Sequence, residues 1–294
     1  MSYFSGTITV VGGAIDNATI GGTTPAQGTF TDITGDHLIT DTTNTVLGQQ
    51  AGDSFGVGPS QNTLIGFNAG NNITTGDRNV GVGHNSLDAA NVNDCVGIGQ
   101  NALGSCTQDQ ITAVGSQALA LNTAGLRNTG MGFSALSSIT TADDSTAFGH
   151  NALAACTGSF TTAVGSGALQ SYTSTIFGCT AVGFNAMNAA TGAGVSQCTA
   201  VGVSALASTT SSGNTAIGHT ALTALTSGLA STAVGNFALS TATTGARNSA
   251  LGSNALGVSN GSDNTALGTS AMRLSPSGNE NVAVGPAITN AVLH

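Results

Sequence analysis

The chain has no lysine and no tryptophan, and only four arginines among 294 residues. Without a basic face it is a poor match for nucleic acid or for an anionic membrane surface. Charged residues make up 6% and hydrophobic ones 40%. Disorder is associated with the reverse balance, high charge and low hydrophobicity, so a disordered chain is excluded. No apolar run reaches the length of a membrane span. The start, MSYFSGTITVVGG, has no basic segment ahead of a long apolar core, so no secretory leader is expected. The five cysteines are odd in number and lack C-x-x-C spacing. A disulfide framework and a zinc site are therefore not expected, and all five read as reduced structural thiols. The net charge of −9 lies wholly in residues 1–144, leaving a neutral C-terminal half rich in Ser, Thr, Asn and Ala. Such a surface suits hydroxyl-rich neutral ligands such as glycans, and equally a surface that is merely soluble.

What the chain does have is a short phrase repeated fifteen times, at spacings of 16 to 19 residues. It runs small or polar, β-branched, small, bulky apolar, Gly, two variable residues, then Ala-Leu. Asn128-Thr-Gly-Met-Gly132, Asn214-Thr-Ala-Ile-Gly218 and Asn264-Thr-Ala-Leu-Gly268 are clear copies. A fixed period of this size marks a solenoid. The residue before the anchor glycine is bulky and apolar in every copy, from Leu47 to Val284, and two before it stands Ala or Gly in all but the first two. Side chains alternate along a strand, so each unit is expected to contain a short strand with one large-residue and one small-residue face.

The glycine ends that strand, and the Leu of the Ala-Leu pair supplies a second apolar anchor. The large face is expected to stack from coil to coil and be buried. A Thr-x-Thr ice-binding array is not the pattern, because the residue two after Thr is bulky and apolar. Asn recurs four before the glycine, as at Asn44, Asn62, Asn79, Asn128, Asn214, Asn248, Asn264 and Asn281, which predicts a partial amide ladder. At one strand spacing per coil the rod is ~70 Å long. The fold class is thus all-β, a parallel β-roll of about fifteen short coils over residues 44–285, with an extended segment at 1–43 and a cap at 286–294.

Asn214-Thr-Ala-Ile-Gly-His-Thr-Ala-Leu222 and Ser145-Thr-Ala-Phe-Gly-His-Asn-Ala-Leu153 resemble the repeats of phage tail fibres and related virion proteins. The phrase is also similar to the head repeats of trimeric autotransporter adhesins. Residues 15–33 look like the Ile-Asn/Asp-Asn-x-x-Ile-Gly-x-x-x-Pro-x-x-Gly-x-Phe-Thr segment of phage fibres. The resemblance implies an elongated homotrimer on the virion tail that adheres to the bacterial surface, with polysaccharide as a receptor class. It implies attachment to the tail, baseplate or an adaptor through Ile15, Asp16, Asn17, Ile20, Pro25 and Phe30. The alternatives are a bacterial cell-surface trimeric adhesin and a capsid-attached head fibre.

Other motifs carry less. Gly81-Val-Gly83 and Gly97-Ile-Gly99 are ordinary repeat copies with no helix after them, so no nucleotide cofactor is expected. His84, His150 and His219 each follow an anchor glycine and could meet their copies across a trimer, but Phe67, Phe133 and Phe184 fill the same slot, so no metal is assigned. Acids are too sparse for a carboxylate pair, and no catalytic residue is assigned. The polar distal segment, Arg273, Ser275, Ser277 and Asn279, is the candidate receptor contact.

Overall fold

The computed structural model describes residues 30–33, 36–40, 43–55, 58–88, 91–173, 178–192, 194–275 and 277–287, with side chains from residue 43 onward. The described chain is all β and contains no helix. Two N-terminal strands, β1 (Phe30–Ile33) and β2 (Asp36–Thr40), pair antiparallel. Strand β2 then pairs antiparallel with β3 (Thr45–Leu47). From β3 to β17 (Val282–Val284), fifteen three-residue strands stack in parallel, each in register with the next. Thr199, Ala200 and Val201, for example, lie over Thr215, Ala216 and Ile217. This is a parallel β-solenoid of one coil per repeat.

The strands stop at three residues because the anchor glycine already leaves extended geometry, as at Gly183 with φ +136. The next coil's glycine sits directly against it. A Cβ on Gly183 would fall 2.5 Å from the Gly202 carbonyl oxygen. Only glycine combines that dihedral with that approach. The turn that follows uses two further left-handed residues, such as Asn151 (φ 54) and Leu153 (φ 52). A bulky residue is unusual there. What holds it is the neighbouring coil: the Leu153 N–H donates to the Ala168 carbonyl at 3.0 Å, and the Leu153 side chain is fully buried.

The interior is lined by the small-residue face, the reverse of the expected orientation. Each strand shows its middle residue buried and its flanks more exposed. Ala147, Ala163 and Ala216 are wholly buried, whereas the bulky residues Phe148 and Ile217 are 40% exposed. The reason is width. The turn leucines fill the coil, so even a Cβ on Gly97 would lie 3.1 Å from the Leu87 side chain. A larger strand residue there must point outward.

The amide ladder is present inside the coil, but most of its bonds go to backbone. Asn62 Oδ1 accepts the Asn79 N–H at 3.0 Å, while its Nδ2 donates to the Gly76 carbonyl at 2.9 Å. Asn79, Asn214 and Asn264 repeat the arrangement. Each such asparagine satisfies polar groups on the following coil that burial would otherwise leave unpaired.

Candidate adhesion surfaces

Because the small face turns inward, the bulky face forms an outward apolar column along the whole solenoid. Leu47, Ile98, Met131, Val164, Val201, Leu251 and Val284 are 36% to 63% exposed. Near the C-terminal end it opens into a shallow groove of about 280 Å³ walled by Val234, Leu251 and Leu267, with Thr232, Ser249 and Thr265 alongside. Beside this column runs a second one, the residues after the anchor glycines. Phe67 stacks on His84 with ring centroids 5.3 Å apart and planes 10° from parallel. Phe133 stacks on His150 at 5.4 Å and 12°. His219 meets Phe237, which stands two after Gly235, edge-on at 5.3 Å. Within one chain the three histidines are thus in separate ring pairs. Among the described residues no cluster of three or more His, Cys, Asp or Glu is placed to hold a metal ion.

The corner before each strand is polar. Five before the anchor glycine the residue is left-handed, and here three of the arginines cross-link successive coils. Arg78 pairs with Asp94, Arg127 with Asp144 and Arg247 with Asp263, each through Nε at 2.6 Å and a second bond from Nη2. The guanidinium hydrogen bonds hold these three carboxyls below the usual range. The pairs are exposed, so they align coils more than they stabilise them.

Six before the glycine lies a ladder that the repeat reading missed. The Ser60 N–H donates to Asp77 Oδ1 at 2.7 Å, the Asp77 N–H to Asn93 Oδ1 at 2.9 Å, and the Asn93 N–H to Asp109 Oδ1 at 2.7 Å. Its signal in the sequence was the recurrence of Ser, Asp and Asn at that offset, overshadowed by the larger asparagine column two residues on.

The distal segment forms the outer loop of the last complete turn. Arg273, Ser277 and Asn279 are exposed and Ser275 is half-buried. Among the described residues Arg273 forms no ion pair. The Asn279 side chain is already engaged, its Oδ1 accepting the Ser262 N–H at 2.8 Å. Of the expected attachment residues, Ile15, Asp16, Asn17, Ile20 and Pro25 lie outside the described residues, and Phe30 opens β1, opposite Leu38.

The five thiols are all buried. The register places Cys179 directly under Cys198, and the hydrogen bond they share, together with burial, pushes the Cys198 thiol upward. Burial likewise raises Cys156, to about 12.

The site and fold so defined belong to a repeat protein, a parallel β-roll with one apolar face and one polar corner. No family model, curated protein or solved structure matches the chain. Among the described residues no helix is long and apolar enough to cross a membrane.

Proposed function

We propose that this chain is the shaft of a homotrimeric virion fibre, a phage tail fibre that adheres to the bacterial host surface. The observation that carries the reading is the apolar column. Monomeric proteins rarely leave a contiguous apolar strip of this length open to water. The strip repeats once per coil from Leu47 to Val284, so a partner that covers it must share its period. A second and third copy of the same chain meet that demand at every coil, and the three-fold number follows from the likeness of the repeats to those of trimeric fibres. Covering the column also turns the polar corners outward, where many weak symmetric contacts to surface polysaccharide add through avidity. Residues 1–43 would join the tail, baseplate or an adaptor, and residues 273–279 would face the receptor. The role is mechanical, with no catalytic step and no cofactor.

Sedimentation equilibrium of the purified chain tests the assembly. A mass three times 28.4 kDa is expected, and a monomer at micromolar concentration overturns it. Mass spectrometry of purified phage particles tests the location: the chain among virion proteins supports a fibre, whereas recovery only from envelopes of uninfected cells overturns it.

A further inference from the structure

The polar corner ladder is interrupted between Asp109 and Asp143, and a recess lies at that interruption. After Asn93 bonds Asp109, the next residue in the column is Leu126, which carries no acceptor. The ladder resumes one coil later, where the Leu126 N–H donates to Asp143 Oδ1 at 2.7 Å. The Asp109 N–H is thereby left without the side-chain acceptor that its counterparts at Ser60, Asp77 and Asn93 possess. Around it lies a recess of about 410 Å³. Its walls include Thr107, Gln108, Asp109, Gln110, Leu126 and Arg127. It lies on the corner before the strand, off the apolar column.

We propose that this recess is a binding subsite for a neutral saccharide. The Asp109 carboxylate is held in place by Asn93, which donates its backbone N–H to Oδ1 and its Nδ2 to both oxygens, at 3.3 and 3.2 Å. Its remaining lone pairs can accept from the two hydroxyls of a sugar diol. The open Asp109 N–H and the Gln110 carboxamide supply donors for ring and hydroxyl oxygens, while Gln108 Nε2 is held by Thr107 Oγ1 and the Thr123 carbonyl at 3.3 and 3.2 Å and leaves its Oε1 as an acceptor. Leu126, 37% exposed, offers an aliphatic surface to the C–H face of a pyranose. That mixture, a few convergent polar groups beside one apolar wall, is what orients a small ligand. Neutrality follows from the charges. The Arg127 guanidinium is engaged by Asp144 through two bonds of 2.6 and 2.7 Å, so no unopposed cation selects an acidic sugar.

The inference rests on the adhesion reading for the source of the saccharide, not for its chemistry. Saturation-transfer NMR on the full chain, with maltotetraose, cellotetraose, chitotetraose and an oligogalacturonate as probes, tests it. Transfer to at least one neutral probe is expected. Leu126→Asn restores the missing rung, occupies the Asp109 N–H and removes the aliphatic wall, so it should keep or raise the thermal midpoint while weakening binding about tenfold or more, the worth of one lost polar contact. Asp109→Asn keeps an acceptor for Asn93 and should weaken binding less. No transfer from any neutral probe, a preference for the oligogalacturonate, or unchanged binding in Leu126→Asn each overturns the proposal. Host-cell adhesion that persists in Leu126→Asn overturns the subsite as a receptor contact and leaves the fibre reading standing. Absence of the chain from virions overturns the fibre reading and leaves the subsite untouched.

Discussion

A Cβ built on Gly70 would fall 2.6 Å from Leu64 Cδ1. The two residues share one interior volume, and other coils divide it the opposite way. From the third coil on, the strand's middle residue is Ala or Gly and the turn residue four after the anchor is mostly Leu or Met. In the first two coils the strand carries Val46 and Leu64, and the turn carries Gly52 and Gly70. Gly70 has φ +59, close to the φ 52 of Leu87 in the next coil, so a leucine fits that backbone. Leu64→Ala alone should cost about 2–5 kcal/mol through the cavity. Gly70→Leu alone should cost about 1–3 kcal/mol through overpacking. The double variant recreates the pattern of the following coils and should recover most of both losses, a coupling on the order of 3 kcal/mol. Urea unfolding of the four proteins of the cycle measures it, and simple additivity would show that the two side chains do not compete.

The asparagine ladder makes a sharper demand. Asn248 is 1% exposed; its Oδ1 accepts the Asn264 N–H at 3.0 Å and its Nδ2 donates to the Gly261 carbonyl at 2.8 Å. Asn248→Ala strands a donor and an acceptor in the interior and should cost on the order of 3 kcal/mol. Asn248→Asp should cost more, because it removes the donor and buries a charge. Asn248→Ser should lie between wild type and alanine, since Ser231 fills the equivalent place one coil earlier and its Oγ accepts the Asn248 N–H at 3.2 Å. Amide hydrogen exchange at Asn264 and its neighbours reads the local loss even if the rest of the array holds.

How far the sequence reveals this fold depends on which feature is asked for. The period, the strand positions and the corner glycines were legible, because one residue type at one offset is enough to declare them, as Gly183 and Gly202 do. The inward face was not. Alternation separates Phe148 from Ala147 but does not say which is inside, and the usual preference for burying large apolar residues points to Phe148. The answer lies in the width of the coil, which is set by Leu136 and Leu153 from the turns, a relation between units rather than within one. The same holds for the recess. Leu126 reads as a neutral loop substitution until the rungs on either side show what it interrupts.

The exposed column gives the assembly prediction. Ile217 is 40% exposed and its strand neighbour Ala216 is fully buried. Ile217→Glu should therefore leave the circular dichroism of the single coil stack intact while abolishing the proposed trimer, in which it would set three carboxylates in one apolar layer. Ala216→Glu should instead destroy the fold itself. Sedimentation velocity beside circular dichroism separates the two outcomes. A trimer that survives Ile217→Glu would move the interface elsewhere on the coil.

Cys156 gives the chain a defined alkaline limb. Its thiol is 1% exposed and donates to the Gly158 carbonyl at 3.1 Å. Burial raises it from an ordinary 9.0 to about 12. A raised value means that the folded state keeps the proton after the unfolded chain has begun to lose it. The stabilisation is therefore complete below pH 9.0 and is lost as pH climbs toward about 12. Between those limits stability should fall by up to about 1.4 kcal/mol per pH unit from this group alone. Cys156→Ala removes the titration, so its stability should decline less steeply over that range than that of wild type. Urea midpoints of the two proteins between pH 8 and pH 11 measure the difference, and parallel curves would mean that water reaches this thiol in the folded chain.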